Sequence, residues 1–366
     1  MQVKSITISQ FKNLKEVGIS FAERFNCFVG DNGAGKTNIL DALYMLSMTK
    51  SFFSSVDAMN VRHGDDFFSV RGEYLRAGED LELFCSYSNA TKKSFKKNGK
   101  PYSRMSDHIG YVPLVMISPE DTELIEGGGE LRRKWVDMAI SQSNSEYLLA
   151  LMKYNKLLQH RNSLLKSGVN RDYSLMEVID MRLVEFGNFV AKCREEFVED
   201  FRPVFNKYYA ALTNSAEQVE ITYKRSVEGA DFETSLKTNL EKDFILGYTS
   251  VGVHRDDLSM LLDGYPIKKI GSQGQKKSYI IAMKFALYEW LMRIKWVKPL
   301  LLLDDIFDKL DPNRVRAILD IVSGEDFGQI FITHTHKNIV EDMLLAIGAD
   351  YKIFNIARGE VVYGDR

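Results

Sequence analysis

The sequence has little that would support a disulfide framework, a zinc site or a membrane span. Its three cysteines, Cys27, Cys85 and Cys193, stand far apart and form no Cys-x-x-Cys pair, so reduced thiols packed as small apolar groups are expected. No apolar stretch approaches the roughly 20 residues that cross a bilayer. The opening Met-Gln-Val-Lys-Ser-Ile-Thr-Ile reads as a strand rather than a signal peptide, and a cytoplasmic location is expected. Nor is there an excess of one charge. With 48 basic and 50 acidic residues the formal net charge is −2, which neither favours nor excludes nucleic acid, because a basic face can sit on a neutral protein. At 366 residues and 45% hydrophobic content, the chain can hold about two domains and a sizeable core.

The most specific stretch is Gly30-Asp31-Asn32-Gly33-Ala34-Gly35-Lys36-Thr37, which follows the apolar run 25–29 and leads through Asn38 into a helical pattern ending near Met48. A phosphate-binding loop needs this context: a strand to deliver the turn, glycines that let backbone N–H groups curl around phosphate oxygens, and a helix whose positive end faces the anion. Lys36 would reach the β- and γ-phosphates, and Thr37 would hold Mg²⁺. Later in the chain Leu300-Leu-Leu-Leu303 ends in Asp304-Asp305, as a buried strand must to present a metal-holding carboxylate, Asp304, beside such a loop. Ser272-Gln273-Gly274-Gln275 opens a helix, Lys309-Leu-Asp311 follows the acidic pair, and Gln329-Ile-Phe-Ile-Thr-His334 closes the ordered set.

Around these motifs, residues 3–21 alternate polar and apolar and predict two strands, and short alternating runs predict an antiparallel subdomain over about 67–117. Within it, Asn98-Gly99 marks a tight hairpin turn ringed by Lys92, Lys93, Lys96, Lys97 and Lys100. Those lysines fit two readings equally, protection of a sheet edge or contact with DNA phosphates. The pattern becomes helical from Leu131 to about Ala211, with breaks expected near Gly168 to Asp172 and at Pro203. It predicts a helical arm, residues 126–214, inserted into a head formed by 1–125 and 215–366. The arm opens with Arg132-Arg133-Lys134, a solvated charged face or a DNA contact. His254-Arg-Asp-Asp257 is a dense polar cluster that composition alone reads as a turn.

Taken in order, these motifs resemble those of the ABC-type ATPases. Residues 272–275 resemble the signature motif, 300–305 the Walker B strand, Leu310-Asp311 the D-loop and His334 the switch histidine. Within that group the sequence is similar to the RecF family of bacterial recombination mediators. The residues that carry this are Gly33-Ala-Gly-Lys-Thr-Asn-Ile-Leu-Asp-Ala-Leu-Tyr44, Lys50-Ser-Phe52, Ser118-Pro-Glu-Asp121, Leu131-Arg-Arg-Lys-Trp-Val-Asp137, His254-Arg-Asp-Asp257, Ser272-Gln-Gly-Gln-Lys276 and Leu303-Asp-Asp305. The resemblance implies an α/β fold: an ABC-type P-loop ATPase head of mixed sheet and helices, an antiparallel β subdomain and an inserted α-helical arm. It also implies ATP and Mg²⁺ as cofactors, an ATP-dependent homodimer in which Ser272 acts on the partner's nucleotide, and slow hydrolysis with Asp305 and His334 at the γ-phosphate. DNA, gapped or at junctions, and the pathway proteins RecR, RecO and RecA are the implied partners.

Three positions depart from the family pattern: Phe53 stands where arginine is common, Gly252-Val253 replaces Gly-Pro, and no glutamine ends the 111–117 strand, leaving Glu120 or Asp121 to serve in its place. A transporter subunit would share the ATP motifs but carry a glutamine loop and a shorter insert than this one of about eighty residues. A chromosome-organising or Rad50-like protein would need a far longer coiled coil or a cysteine hook.

Overall fold

Apolar runs too short for helices and without alternation belong in a sheet covered on both faces. Phe25–Val29, Leu114–Ile117, Leu300–Asp304 and Ile330–His334 are such strands, every residue buried. The sheet order is Glu360–Val362, Tyr351–Ala357, Phe25–Val29, Ile330–His334, Leu300–Asp304, Leu114–Ile117, parallel except at the Glu360–Val362 edge. The computed structural model describes residues 1–167, 173–213, 217–227, 231–307, 310–348 and 350–362. They fall into two units, Met1–Asp121 with Ala211–Thr213 and Ile281–Arg366, and Thr122–Ala210 with Asn214–Ile280.

A second sheet in the first unit is antiparallel, in the order Leu14–Ser20, Gln2–Phe11, Phe67–Arg76, Glu79–Ser88, Lys92–Lys97, Lys100–Pro101. It differs from the expected 67–117 subdomain at both ends. The two N-terminal strands join it, because their alternating burial needs one covered face. Leu114–Ile117 leaves it and pairs with the Leu300–Asp304 strand, because a strand with no polar face needs cover on both. The helix Lys36–Met48 touches strands of both sheets. It packs tightly at Gly72, where a Cβ would stand 2.7 Å from Leu46 Cδ1. Buried Gln329 joins the two layers: its amide donates to the Val3 and Ala22 carbonyls at 2.9 and 2.8 Å and accepts from Val3 N at 2.7 Å. Every polar atom of that side chain is therefore satisfied.

The second unit holds the helices Gly129–Ser143 and Ser145–Ser167, most of Tyr173–Thr213, and Phe232–Leu246. It also holds a three-stranded sheet of Val219–Lys224, Asp257–Leu262 and Tyr265–Pro266. Residues 217–280 thus group with the helical segment, where the sequence placed 215–366 in the head. Aromatic packing accounts for part of this: Tyr279 lies 4.7 Å from Phe205 and 5.9 Å from Tyr209, ring centre to ring centre. Pro203 does not break its helix, which runs from Tyr173 to Thr213. Proline removes one backbone donor, and here it sits among buried Phe197, Phe201, Val204 and Phe205. The break expected at 168–172 lies outside the described residues. Among the unit's helical residues Trp135 and Tyr147 are buried, whereas Met152 is exposed.

Two arginines in this unit are fully buried and fully paired. Arg161 donates to Asp180, Asp243 and Thr249 at 2.6, 2.7 and 2.9 Å. Arg194 donates to Asp137 at 3.0 Å and to the Val253 carbonyl at 2.7 Å. Removing one partner of such a pair would leave an uncompensated buried charge, a loss of about 3 to 5 kcal/mol.

In the first unit His108 is buried, with Nε2 2.8 Å from the Leu46 carbonyl and Nδ1 3.0 Å from the Tyr102 hydroxyl. Burial pushes its pKa down to about 4. Free histidine titrates near 6.5, so between these values the unfolded chain binds a proton that the folded chain refuses, and stability falls as pH drops. Urea unfolding at pH 7 and pH 5 should show a loss of about 1 to 2 kcal/mol from this ring. His108→Gln should lose correspondingly less on acidification; an unchanged difference would remove His108 from the account.

Candidate functional site

The Phe25–Val29 strand ends at Gly30, whose φ of 148° and close contact admit no side chain: a Cβ would stand 2.1 Å from the Ile356 carbonyl oxygen. Gly33 and Gly35 also have positive φ, at 78° and 115°. The chain then enters the Lys36–Met48 helix with Gly35 as N-cap, no capping side chain and no acidic residue in the first turn. The helix therefore opens with N–H groups unclaimed by a cap, as a phosphate site requires. Lys36 Nζ donates to the Gly30 and Asp31 carbonyls at 2.7 and 2.9 Å. Burial lowers its pKa, opposed by Asp305, Asp304 and Asp31.

Two hydroxyls converge on Asp304. Thr37 Oγ1 and Thr333 Oγ1 donate to its Oδ1 at 2.8 and 2.7 Å. Burial raises the Asp304 pKa, against the pull of these two donors. Asp305 has left-handed φ of 48° and donates its N–H to Thr333 Oγ1 at 2.9 Å. His334 ends the next strand. Its Nδ1 accepts the His336 N–H at 2.9 Å, so the neutral ring carries its proton on Nε2. Burial lowers the His334 pKa, with Asp305 opposing. Asn32, Gly33, Gly35, Lys36, Thr37, Asn38, Asp304, Asp305 and Thr333 line one cleft of about 210 Å³. A triphosphate tail matches it: backbone donors and a lysine at one side, carboxylates at the other.

The same residues fit a hard divalent cation. Adjacent oxygens around octahedral Mg²⁺ stand about 2.9 Å apart, from bond lengths near 2.05 Å, and the Thr37 and Asp304 oxygens are 2.8 Å apart. Among the described residues there is no cluster of three or more His, Cys, Asp or Glu that could hold a metal. Two protein oxygens completed by phosphate and water is the usual magnesium arrangement.

In the second unit, Ser272 and Gln275 form a reciprocal cap at the start of the Gln273–Lys295 helix. Gln275 N donates to Ser272 Oγ at 3.2 Å, and Ser272 N donates to Gln275 Oε1 at 2.7 Å. Gln275 Nε2 also donates to Glu217 Oε1 at 2.7 Å. Ser272 and Gln273 are exposed, Gly274 half-buried. Asp311 caps the Pro312–Ser323 helix, accepting from Asn313 and Arg314 N–H groups at 3.1 Å. Lys309 lies outside the described residues.

A family model described as "AAA ATPase domain" matches residues 1–284. The "DNA replication and repair protein RecF" of Bacteroides thetaiotaomicron is 46% identical over 362 residues, covering 99% of this chain and 98% of that protein. The chain belongs to the RecF family. The RecF of Flavobacterium johnsoniae is 44% identical over 97% of this chain and all of its own length. The solved structure of RecF with ATP, a recombination mediator of the RecFOR pathway, matches with TM-score 0.89 and 33% identity, covering 99% of this chain and 97% of that one. An Smc head domain matches with TM-score 0.59 at 18% identity, a likeness of fold alone. The ABC-type ATPase fold expected from the motifs is thus the fold of this RecF-family chain.

The basic residues of this RecF-family chain have different fates. Arg132 forms a two-pronged pair with Asp257, at 2.7 and 2.8 Å, and caps the Leu124 and Gly127 carbonyls. Arg133 donates to the Asp256 carbonyl at 2.7 Å, and exposed Lys134 pairs with Glu130 at 2.7 Å. In the hairpin, Asn98 and Gly99 have φ of 47° and 74° and connect paired Lys97 and Lys100, the two-residue turn expected. Lys93 pairs with Asp57 at 2.6 Å, Lys97 lies over the Tyr111 ring, and Lys92 is exposed. The His254 cluster is structural: Nδ1 meets the Tyr154 hydroxyl at 2.7 Å and Nε2 the Thr249 carbonyl at 3.0 Å.

Near the missing glutamine, Asp121 is buried and paired with Lys284 at 2.6 Å. The Glu120 pKa is raised by burial and then by Asp121, with a smaller contribution from Asp304. Two contributors escaped sequence reasoning. Asn13 donates to the Gly33 carbonyl at 3.0 Å and accepts from Asn38 at 2.7 Å, bracing the loop from outside. Thr333 positions both acids, and its only sequence signal was adjacency to His334. Where arginine is common, Phe53 has the Lys12 ammonium 4.9 Å from its ring centre, and Lys12 pairs with buried Asp41 at 2.6 Å.

Proposed function

We propose that the protein is an ATP-dependent recombination mediator: two subunits close on two ATP molecules and bind gapped or junction DNA, helping RecR and RecO load RecA. The observation that carries this reading is the convergence of Lys36, Thr37, Asp304 and Thr333 in one cleft, while the exposed Ser272 opens a helix that no residue of that cleft belongs to. A half-site in each chain calls for a second chain to complete it. Ser272 and the N–H groups behind it supply a second positive helix end for the γ-phosphate.

Mg²⁺, held by Thr37 and Asp304, would neutralise charge on the β- and γ-oxygens. Lys36 binds the same phosphates, Asp305 orients the attacking water, and His334 donates from Nε2 to the γ-phosphate. Asp is one methylene shorter than the glutamate common in transporters, which suits slow turnover and a switch rather than a motor. DNA contact falls to backbone phosphates, with Lys92, Lys96, Lys97 and Lys134 as the cations not locked into buried pairs.

The test is mass and gapped-duplex binding with and without ATP. Dimers that form and bind DNA only with ATP are expected. A monomer indifferent to ATP and without DNA affinity would sink the reading.

A further inference from the structure

Trp296 is 91% exposed, while Trp135 and Trp290 are each 5% exposed. It directly follows the Gln273–Lys295 helix, with left-handed φ of 54°. Together with Ala77, Val297 and Lys298 it lines an open groove of about 700 Å³ in the first unit. Glu23 and Asp350 line the groove too, tied to each other by the Glu23 N–H on Asp350 Oδ2 at 3.1 Å.

Arg24 and Lys298 line this groove, and further cations adjoin its lining residues in the chain. Arg76 precedes Ala77 in the chain, and Lys295 precedes Trp296. The Arg76 guanidinium lies 4.0 Å from the Tyr111 ring centre and the Lys97 ammonium 3.9 Å from the same centre. Burial acts to raise the Tyr111 pKa, but Lys97 and Arg76 override it and hold the phenol below its ordinary range. Lys295 is held below its ordinary range by burial and then by Arg76. Arg76 Nε is buried without a hydrogen-bond partner. Among the described residues none of Arg76, Lys97, Lys295 and Lys298 is in an ion pair with a carboxylate. Like charges gathered without counter-charge raise the local potential, and an anion relieves it.

An exposed aromatic ring flanked by unpaired cations is the arrangement that holds single strands, the base on the ring and the backbone on the charges. We propose that this groove binds one strand of single-stranded DNA, with phosphates at Arg76, Lys97 and Lys295 and a base stacked on Trp296. The proposal rests on the DNA-binding reading above and gives it a single-strand site. Lys97 of the hairpin and the end of the Gln273–Lys295 helix thereby serve one ligand.

The experiment is a titration of the full chain with oligothymidylate, with and without ATP, followed by tryptophan fluorescence. Because Trp296 is the exposed indole, binding should quench the wild-type signal. Trp296→Ala should abolish the quench and weaken binding roughly tenfold. The double variant Lys97→Gln with Lys295→Gln should lower the slope of log affinity against log salt by about 1.4, since each phosphate contributes about 0.7 on single strands. Wild-type affinity and salt slope in both variants, with gapped-duplex binding intact, would overturn this site and leave the broader reading standing. Absence of any DNA binding by the wild type would overturn both. A quench that persists in Trp296→Ala would place the strand elsewhere.

Discussion

Ser272→Arg is expected to leave ATP binding by the single subunit intact and to abolish ATP-dependent dimerisation, with hydrolysis falling by about 100-fold or more. Ser272 does not line the cleft that holds Lys36, Thr37 and Asp304, so the substitution spares the first half of the site. Its hydroxyl accepts the Gln275 N–H, which leaves the single hydroxyl hydrogen to donate to a phosphate oxygen. Arginine removes that donor and fills the space a γ-phosphate needs at the helix end. The fold should survive, because losing an N-cap costs about 1 kcal/mol against a domain stability of about 5 to 15 kcal/mol. Light scattering with and without ATP, alongside fluorescent-nucleotide binding, separates the two effects. Dimers at the wild-type level would refute action on the partner's nucleotide.

Asp305→Asn is expected to lower turnover by about 100- to 10,000-fold and to prolong the ATP-held dimer. Asparagine keeps the shape of the side chain and tolerates the left-handed backbone that Asp305 adopts at φ 48°. The Thr333 hydroxyl can still accept the residue's N–H. What disappears is the negative charge proposed to orient water toward the γ-phosphate, and with it a repulsion that opposes ATP. Binding should therefore persist while hydrolysis stops. Single-turnover hydrolysis and dimer lifetime after ATP dilution read the two halves, and an unchanged lifetime would dismiss Asp305 from this role.

The phosphate loop was legible because its rules are local. Gly30, Lys36 and Thr37 act within one turn of chain between a strand and a helix, and glycine at positive φ leaves a readable mark. The Asn98-Gly99 turn was readable for the same reason. The lysines beside it were not, because alternation puts neighbours on opposite faces: Lys93 goes to Asp57 and Lys97 to Tyr111, while Lys92 stays in solvent. Arg132 fitted a solvated face or a DNA contact in the sequence, because its pairing partner Asp257 lies 125 residues away.

The sequence by itself determined the phosphate loop between its strand and helix and the family, since each is written in short contiguous motifs. Tertiary structure alone decided which sheet takes Leu114–Ile117, that Asn13 and Thr333 brace the loop and the acids, and that Arg76 and Lys97 meet at the Tyr111 ring. The physical reason is sequence separation. Thr37 and Asp304 are 267 residues apart and still meet at 2.8 Å, and contacts of that kind are set by how buried surfaces pack, which no local pattern encodes.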